Sequence, residues 1–367
     1  MVFIDFSKAF DSIHRDRMFQ ILSAYGIPES IIKAIRLIYE DSCAKVVTPD
    51  GDTQIFDILA GIFQGDTLAP FLFIIVLDYS LRQAYDNSSP DTGILIEPRK
   101  GSRHPEVRIR DSSYADDISL LNKTLLQAEQ LLHCVETAAA KVGLHLNVAK
   151  TELMTINIPG QDTIKTLSGS SLKRVDTFKY LGSHLPSSFH DFKVRKAMAW
   201  VACNKLENIW KSSLDRNLKI RFFRACVESI LLYGSETWTI TAKMKLRIDG
   251  CYTRLLRRAL NISWRSHTTN KTLYGDLPLL SSTICQCRMR FSGHCVRAVN
   301  QPASKLLFWS PNEGKRGVGR GMKNFTTMLQ EDTGIQSLQE IQTLMEDKNL
   351  WRLRVNDSLE KILPMGD

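Results

Sequence analysis

The spacing of apolar residues changes several times along the first half of the chain, and each spacing predicts a different element. The opening "MVFIDF" is a short apolar run with one acid, which is typical of a buried strand whose carboxylate emerges near its end. Apolar residues at helical spacing then predict a helix over about residues 12–25, with Gly26 and Pro28 as its stop signal. Its predicted inward residues are Ile13, Met18, Phe19 and Leu22.

Two further helices and a hairpin are predicted before residue 90. The stretch "ESIIKAIRLIY" repeats the helical period, and its predicted inward residues are Ile31, Ile35 and Ile38. In "AKVVTPDGDTQIFDIL", Pro49, Asp50 and Gly51 predict the turn of a hairpin. The loop "GIFQGDT" leads into the helix "LAPFLFIIVLDYSLRQAY", for which Asp66 or Thr67 is the expected cap.

The remaining elements define a fold class. Polar residues 86–105 are typical of a surface insertion, and "EVRIR" then alternates like a strand that runs into "RDSSYADDISLL". This pattern places Asp116 and Asp117 near the tip of a β-hairpin. A helix over about 124–142 and strands in "TELMTI" and "FKYLGSHL" follow, and the chain beyond residue 191 is mainly helical. We therefore expect an α+β fold, with an antiparallel sheet backed by helices.

Composition bounds the number of domains and the partners. With 367 residues and 43% hydrophobic content, the chain is expected to form two or three domains. Residues 1–190 carry 19 basic and 23 acidic side chains, whereas residues 191–367 carry 29 and 16. The basic half favours a polyanionic partner, and the alternative is an ordinary solvated surface rich in lysine and arginine.

Cysteines and apolar runs bear on the compartment. The eight cysteines have no paired framework, and a charge near the start of the chain argues against a signal peptide, so we expect an intracellular, non-secreted protein of the nucleus and cytoplasm. The most apolar run, "LAPFLFIIVL", is too short to span a bilayer, which needs about 20 apolar residues.

The adjacent carboxylates in "YADD" are candidate metal ligands. Taken alone, the pair is typical of a solvated turn. Its apolar flanks indicate a hairpin packed into a sheet, where Asp116 and Asp117 would repel each other unless a cation lay between them. Hard carboxylate oxygens suit Mg²⁺, and Asp5, which also leaves a buried strand, is the expected third ligand.

Five stretches in this order resemble the reverse transcriptases of non-LTR (LINE-type) retrotransposons. They are "FIDFSKAFDSI", "GIFQGDTLAPFLF", "YADD", "GLHLNVAKTELM" and "FKYLGSHL". The resemblance covers residues 1–185 strongly, and "ESILLYGSETW", "YTRLLRRAL" and "RMRFSGHCVR" extend it less specifically. It implies a polymerase palm over 1–190, a helical thumb-like region over 191–265 and a basic extension over 266–367.

The resemblance also implies catalytic roles. Asp5, Asp116 and Asp117 would hold two Mg²⁺ or Mn²⁺ ions for transfer of a deoxynucleotide from its triphosphate to a primer 3′-hydroxyl. Lys150 would face the leaving pyrophosphate, although most lysines are merely solvated. Asp11 is expected to be structural.

Further roles concern the nucleotide and the primer. Ala9, Phe10, Gln64 and Gly65 would contact the incoming nucleotide, with the ring of Phe10 excluding a 2′-hydroxyl. The alternatives are core packing for Phe10 and a helix-entry loop for Gln64 and Gly65. The primer terminus would be positioned by Tyr180, Leu181 and Gly182, for which a simple strand end is the alternative.

The basic half would grip an RNA–DNA duplex through its phosphates, so that binding weakens with salt. The expected cluster is Arg254, Arg257 and Arg258, and segment 314–323 is expected to be a flexible linker or a phosphate contact. Four tryptophans are expected to be core residues rather than stacking platforms: Trp200, Trp210, Trp238 and Trp264. Zinc ligation is disfavoured because "CQCRMRFSGHC" lacks finger spacing for Cys285, Cys287, His294 and Cys295.

One departure from the family pattern shapes the functional hypotheses. The chain begins at the first palm motif, so we expect it to lack the fingers segment and any endonuclease domain. The favoured hypothesis is an RNA-directed DNA polymerase fragment with intact aspartates, acting on an RNA template, a DNA primer and deoxynucleoside triphosphates. The alternative is an inactive remnant that only binds nucleic acid. A different palm-type polymerase or a nucleotide cyclase fits the five motifs less well.

Overall fold

The structure is a computed structural model that describes residues 1–158, 160–299, 301–310 and 323–360. Most of segment 314–323, expected to be a linker or a phosphate contact, and the side chain of Trp264 lie outside the described residues. The chain forms two compact units, Met1–Asp176 and Thr177–Asp367. Tyr180, Leu181 and Gly182 therefore belong to the second unit, whereas the aspartates and Lys150 belong to the first. The palm, thumb and extension boundaries stay predictions.

The first unit combines helices with short strands. Its helices are α1 (Ala9–Ser12), α2 (Arg15–Ala24), α3 (Glu29–Tyr39), α4 (Ala69–Asp86) and α5 (Leu125–Ala140). Its strands are β1 (Val2–Ile4), β2 (Cys43–Ala44), β3 (Phe56–Asp57), β4 (Ile94–Glu97), β5 (Val107–Ile109), β6 (Asp111–Tyr114), β7 (Asp117–Leu120), β8 (Glu152–Met154) and β9 (Lys173–Val175). The expected mixture of helix and sheet is confirmed.

A five-stranded sheet organises this unit, in the order β6-β7-β1-β8-β9. The β1 strand lies antiparallel between β7 and β8, with Val2 opposite Leu120 and Ile4 opposite Ile118, and only β8 and β9 are parallel. One hydrophobic core joins the sheet to α2, α4 and α5, which supply fully buried leucines and valines such as Leu22, Val76 and Leu131. The expected sheet backed by helices is therefore present, with one parallel pair at its edge.

Three predictions about the first unit need correction. The α3 helix buries Ile32, Ile35 and Tyr39, while Ile31 and Ile38 are half exposed, so the predicted inward face was right for Ile35 and wrong for Ile31 and Ile38. Segment 86–105 is not only an insertion, because it contains β4, which pairs with β5. The α4 helix begins after Leu68, and the Asp66 carboxylate accepts a hydrogen bond from the Leu68 amide at 3.1 Å rather than capping the first turn.

The second unit begins with a hairpin of β10 (Phe178–Tyr180) and β11 (Ser183–Leu185). Helices then follow in the order α6 (Ser188–Lys205), α7 (Glu207–Lys211), α8 (Arg216–Phe223), a π-helical turn (Arg224–Glu228), α9 (Ser229–Leu232), α10 (Ala242–Ala259), α11 (Asn270–Tyr274), α12 (Leu280–Arg297), α13 (Pro302–Leu306), α14 (Phe325–Thr333), α15 (Leu338–Glu346) and α16 (Lys348–Glu360). The expected helical character of this half is confirmed.

Two hydrophobic clusters fill the second unit. One contains Trp210, Trp238 and Leu255, with Trp200 packed against it, and the other contains Met289 and Trp351. Trp210 and Trp238 are buried, which confirms that they are core residues. Among the described residues, no helix is both long and apolar enough to cross a membrane.

Candidate active site

Asp5 and Asp117 lie at the adjoining ends of two neighbouring strands of the five-stranded sheet. Asp5 follows β1, Asp117 begins β7, and the strands pair up to Ile4 and Ile118, the residues next to the two aspartates. The expected proximity of Asp5 to the acidic hairpin is therefore present. Because β1 is flanked on both sides and its three residues are buried, the sheet fixes where the Asp5 backbone leaves it.

The "YADD" segment forms the predicted hairpin. Tyr114 closes β6 opposite Asp117, and Ala115 and Asp116 form the tip, where Ala115 has a left-handed φ of +53°. Both aspartates are exposed, while Ile118, which follows them, is buried. The buried β7 residues thus anchor a hairpin whose acidic tip faces solvent.

Burial and neighbouring like charges perturb the Asp117 carboxylate. The pKa of Asp117 is raised, first by loss of hydration and then by the like charges of Asp116 and Asp5. Within the part of the chain that the structure describes, no three His, Cys, Asp or Glu side chains gather closely enough to hold a metal ion. Carboxylates without a cation between them are expected to stay apart because they repel each other. The oxygen atoms of the three aspartates are nevertheless of the kind that a hard cation such as Mg²⁺ prefers.

Lys150 lies beside Asp5. Its Nζ is 3.7 Å from Asp5 Oδ2, and both side chains are substantially exposed, so the ion pair is weak. The loop that carries Lys150 is tied to β1, since the Asn147 amide donates to the Asp5 carbonyl at 2.8 Å and the Asp5 amide donates to Thr151 Oγ1 at 3.2 Å. The end of β1 therefore brings together one cation and one carboxylate from distant parts of the sequence.

The residues expected at the nucleotide lie around α1. Ala9 begins α1, and the Phe10 ring stacks on Phe73 with centroids 4.5 Å apart, which supports the core-packing interpretation of that ring. Gln64 Nε2 donates to Asp11 Oδ1 at 3.4 Å, a long hydrogen bond between two exposed side chains. Gly65 has a φ of +94° and open space where a Cβ would lie.

Two residues that position this loop were missed. Gly61 passes so close to α1 that a Cβ would lie 2.7 Å from the Asp11 backbone. The Arg15 guanidinium donates to the carbonyls of Tyr39, Ile58 and Gly61 at 2.8–3.0 Å. Gly61 could have been found from its place at the head of "GIFQGDT", but Arg15 carries no local signal because its partners are distant in sequence.

The predicted basic cluster is only partly available to a ligand. Arg257 donates to the Thr268 carbonyl at 2.7 Å, and Arg258 pairs with Glu207 at 3.1 Å. Arg254 is exposed, and its Nε donates to the Gly250 carbonyl of its own helix. Structural contacts therefore occupy two of the three guanidinium groups.

The cysteines considered as zinc ligands lie on one helix. Cys285, Cys287, His294 and Cys295 all lie on α12. Burial raises the pKa of the three thiols, to about 12 for Cys285, which also lies near the Asp332 carboxylate. A raised pKa disfavours the thiolate that zinc requires.

A sequence comparison identifies the protein family to which this sheet, acidic hairpin and neighbouring lysine belong. A family model described as reverse transcriptase (RNA-dependent DNA polymerase) matches residues 1–185, half of the chain. The chain belongs to the reverse transcriptase family.

Curated relatives place it more narrowly. A putative uncharacterized transposon-derived protein of Caenorhabditis elegans is 25% identical over 65% of the chain and 92% of its own length. The Pol polyprotein of a type-1 R2 element from Popillia japonica is 25% identical over 76% of the chain and 45% of its own length. A probable RNA-directed DNA polymerase from transposon BS of Drosophila melanogaster is 25% identical over 83% of the chain and 34% of its own length. The chain is therefore similar to proteins of transposable elements, and it spans less than half of the length of the R2 and BS relatives.

Proposed function

We propose that this chain is an RNA-directed DNA polymerase portion of a non-LTR retrotransposon protein, which adds deoxynucleotides to a primer 3′-hydroxyl on an RNA template. The observation that carries the proposal is the placement of Asp5 and Asp117 at the adjoining ends of β1 and β7, beside Asp116. Membership of the reverse transcriptase family supports it. Because the retrotransposon relatives are longer, the substrates and partners are part of the proposal.

Asp5, Asp116 and Asp117 would hold Mg²⁺ or Mn²⁺. Two such ions, when bound, supply a clamp on the attacking and leaving oxygens of phosphoryl transfer. The pKa of Asp117 is raised by burial and then by the like charges of Asp116 and Asp5, and a bound cation would favour the ionised carboxylate against both effects. Lys150, 3.7 Å from Asp5, would serve the leaving pyrophosphate as a cation or a proton donor.

Residues around α1 would form the nucleotide pocket. The Phe10 ring, fixed by stacking on Phe73, would present a rigid edge that excludes a 2′-hydroxyl. Ala9, Gln64 and Gly65 would contact the incoming nucleotide, and Gln64 Nε2 lies 3.4 Å from Asp11 Oδ1 beside α1. The primer terminus would lie against Tyr180, Leu181 and Gly182, which form the β10–β11 turn.

The second unit would hold the RNA–DNA duplex through its phosphates. Residues 191–367 contribute 29 basic side chains against 16 acidic ones. Arg254 is the favoured contact because Arg257 and Arg258 already bind Thr268 and Glu207. A binding surface of this kind predicts an affinity that falls as salt rises.

A primer-extension assay on an RNA template tests the activity. We expect the wild type to extend a DNA primer with Mg²⁺ or Mn²⁺, and Asp116→Asn to slow extension by at least about 100-fold, since it removes one carboxylate of the proposed cation site. Asp16→Asn is the matched control, because the Asp16 side chain is 92% exposed on α2 and pairs with Arg36 only at 4.0 Å.

The same assay decides between the proposal and the binding-only alternative. Salt-sensitive binding of the RNA–DNA duplex without extension by the wild type would favour an inactive remnant. Equal extension by the wild type and Asp116→Asn would remove the acidic hairpin from the mechanism.

A further inference from the structure

The turn between β10 and β11 places a leucine in a backbone conformation that leucine rarely adopts. Leu181, a residue with a side chain, has a left-handed φ of +46°, and Gly182 follows with +83°. Such a conformation is unfavourable for leucine and persists where its surroundings hold it. The contacts that hold it come from two other segments of the same unit.

Side chains anchor both carbonyls of this turn. The Tyr233 hydroxyl donates to the Leu181 carbonyl at 2.8 Å, and Arg195 Nη2 donates to the Gly182 carbonyl. The two anchors also contact each other, because the Arg195 guanidinium lies 4.4 Å from the centre of the Tyr233 ring. A Cβ on Gly182 would lie 3.0 Å from that ring, so glycine is what allows the turn to reach it.

Asp191 fixes the arginine and the second strand of the hairpin. It is 2% exposed, and its Oδ1 accepts the His184 amide at 3.0 Å and lies 3.8 Å from Arg195 Nε. Its Oδ2 accepts the indole N–H of Trp238 at 2.9 Å. A buried carboxylate is costly without such partners, and these contacts restrain the hairpin, Arg195 and Trp238 relative to one another.

These contacts connect the hairpin to a segment that is not part of the proposed catalytic site. Tyr233 and Trp238 both belong to "ESILLYGSETW", and both contact the hairpin network. The anchors hold the backbone of the turn and leave the Leu181 side chain 39% exposed. A fixed backbone that presents an apolar side chain suits contact with the sugar face of a terminal nucleotide.

We propose that Asp191, Arg195 and Tyr233 are positioning residues, which fix the Tyr180–Gly182 turn against the terminal sugar of the primer. The inference rests on the proposed polymerase function and adds residues from α6 and from the segment after α9. A displacement of about 1 Å in a reacting group slows a reaction by up to about 100-fold. A turn that positions the primer end must therefore itself be held in place.

Tyr233→Phe tests the inference, because it removes the hydroxyl and keeps the ring beneath Arg195. Hydrogen exchange of the amides in 178–185 is expected to accelerate roughly three- to tenfold as the carbonyl anchor is lost. Single-nucleotide extension is expected to show a kcat about tenfold lower, with unchanged KM for the deoxynucleotide and unchanged duplex affinity. Arg195→Lys, which keeps the charge and loses the planar stacking, is expected to change the same two quantities.

Tyr274→Phe is the matched control, since it also removes a tyrosine hydroxyl hydrogen bond, to Thr253 at 2.8 Å, within the second unit. It is expected to leave hairpin exchange and kcat as in the wild type. Unchanged exchange in both test variants, or faster exchange with an unchanged kcat, would overturn the positioning role while the polymerase function stands. A wild type without extension would instead overturn the function and the primer role together, and hairpin exchange would then report only structural anchoring.

Discussion

Gly61 has a backbone φ of +86° and lies against the backbone of Asp11. Its amide donates to the Ile13 carbonyl at 2.8 Å, and the next amide, of Ile62, donates to Phe10 at 2.7 Å. This contact aligns the loop that carries Gln64 with the residues of α1. A single position without a side chain therefore brings two sequence motifs of the candidate site together.

Gly61→Ala is expected to destabilise the protein by at least about 2 kcal/mol, because the new Cβ meets backbone atoms 2.7 Å away in addition to the unfavourable φ. Gly26→Ala is the matched control, since Gly26 has a similar φ of +78° and no atom within 4 Å of the added Cβ. We expect about 1 kcal/mol for the control. Chemical denaturation measures both values, and equal losses would show that the close approach to α1 carries no cost.

The candidate site was predictable from the sequence where a residue's role depends on its own motif. Asp5 and Asp117 were expected to lie close, and the sheet places them on adjoining strands. Arg15 and Asp191 were missed, because each acts through partners supplied by other elements. Such long-range contacts leave no periodic pattern in the chain.

At the scale of elements, α3 shows how an apolar pattern can be ambiguous. The helix carries apolar residues on two faces, so the period predicted the element and its bounds, Glu29–Tyr39, but not which face is buried. The structure buries Ile32 and Ile35 and leaves Ile31 and Ile38 half exposed. Packing against the rest of the first unit, rather than the local pattern, selects the face.

Neighbouring isoleucines on α3 provide a matched test of this face. Ile32 is 2% exposed and Ile31 is 50% exposed, and both stand in the same turn. Ile32→Ala is expected to cost roughly 2–4 kcal/mol through lost burial and a cavity, whereas Ile31→Ala should cost under about 1 kcal/mol. Equilibrium unfolding in urea gives both values, and a larger loss for Ile31→Ala would reverse the assigned face.

At the scale of the whole molecule, the two units differ in kind. The first has a sheet with helices and carries the carboxylates, while the second, apart from its opening hairpin, is helical and strongly basic. The α+β class and the charge asymmetry were readable from composition and pattern. The contacts of Arg257 and Arg258 with other residues of the protein could not be predicted, because they depend on how α10 packs against α7 and the segment before α11.

Folding of the first unit is what brings Asp5 to Asp117, so a cation site built on these carboxylates requires the folded unit. We propose that these carboxylates, with Asp116, form a divalent cation site. Titration of Mn²⁺ followed by electron paramagnetic resonance measures the free ion directly and requires no catalysis. We expect the wild type and Asp16→Asn to bind Mn²⁺ alike, and Asp5→Asn and Asp117→Asn to bind at least about tenfold more weakly. Equal Mn²⁺ binding by all four proteins would contradict the site.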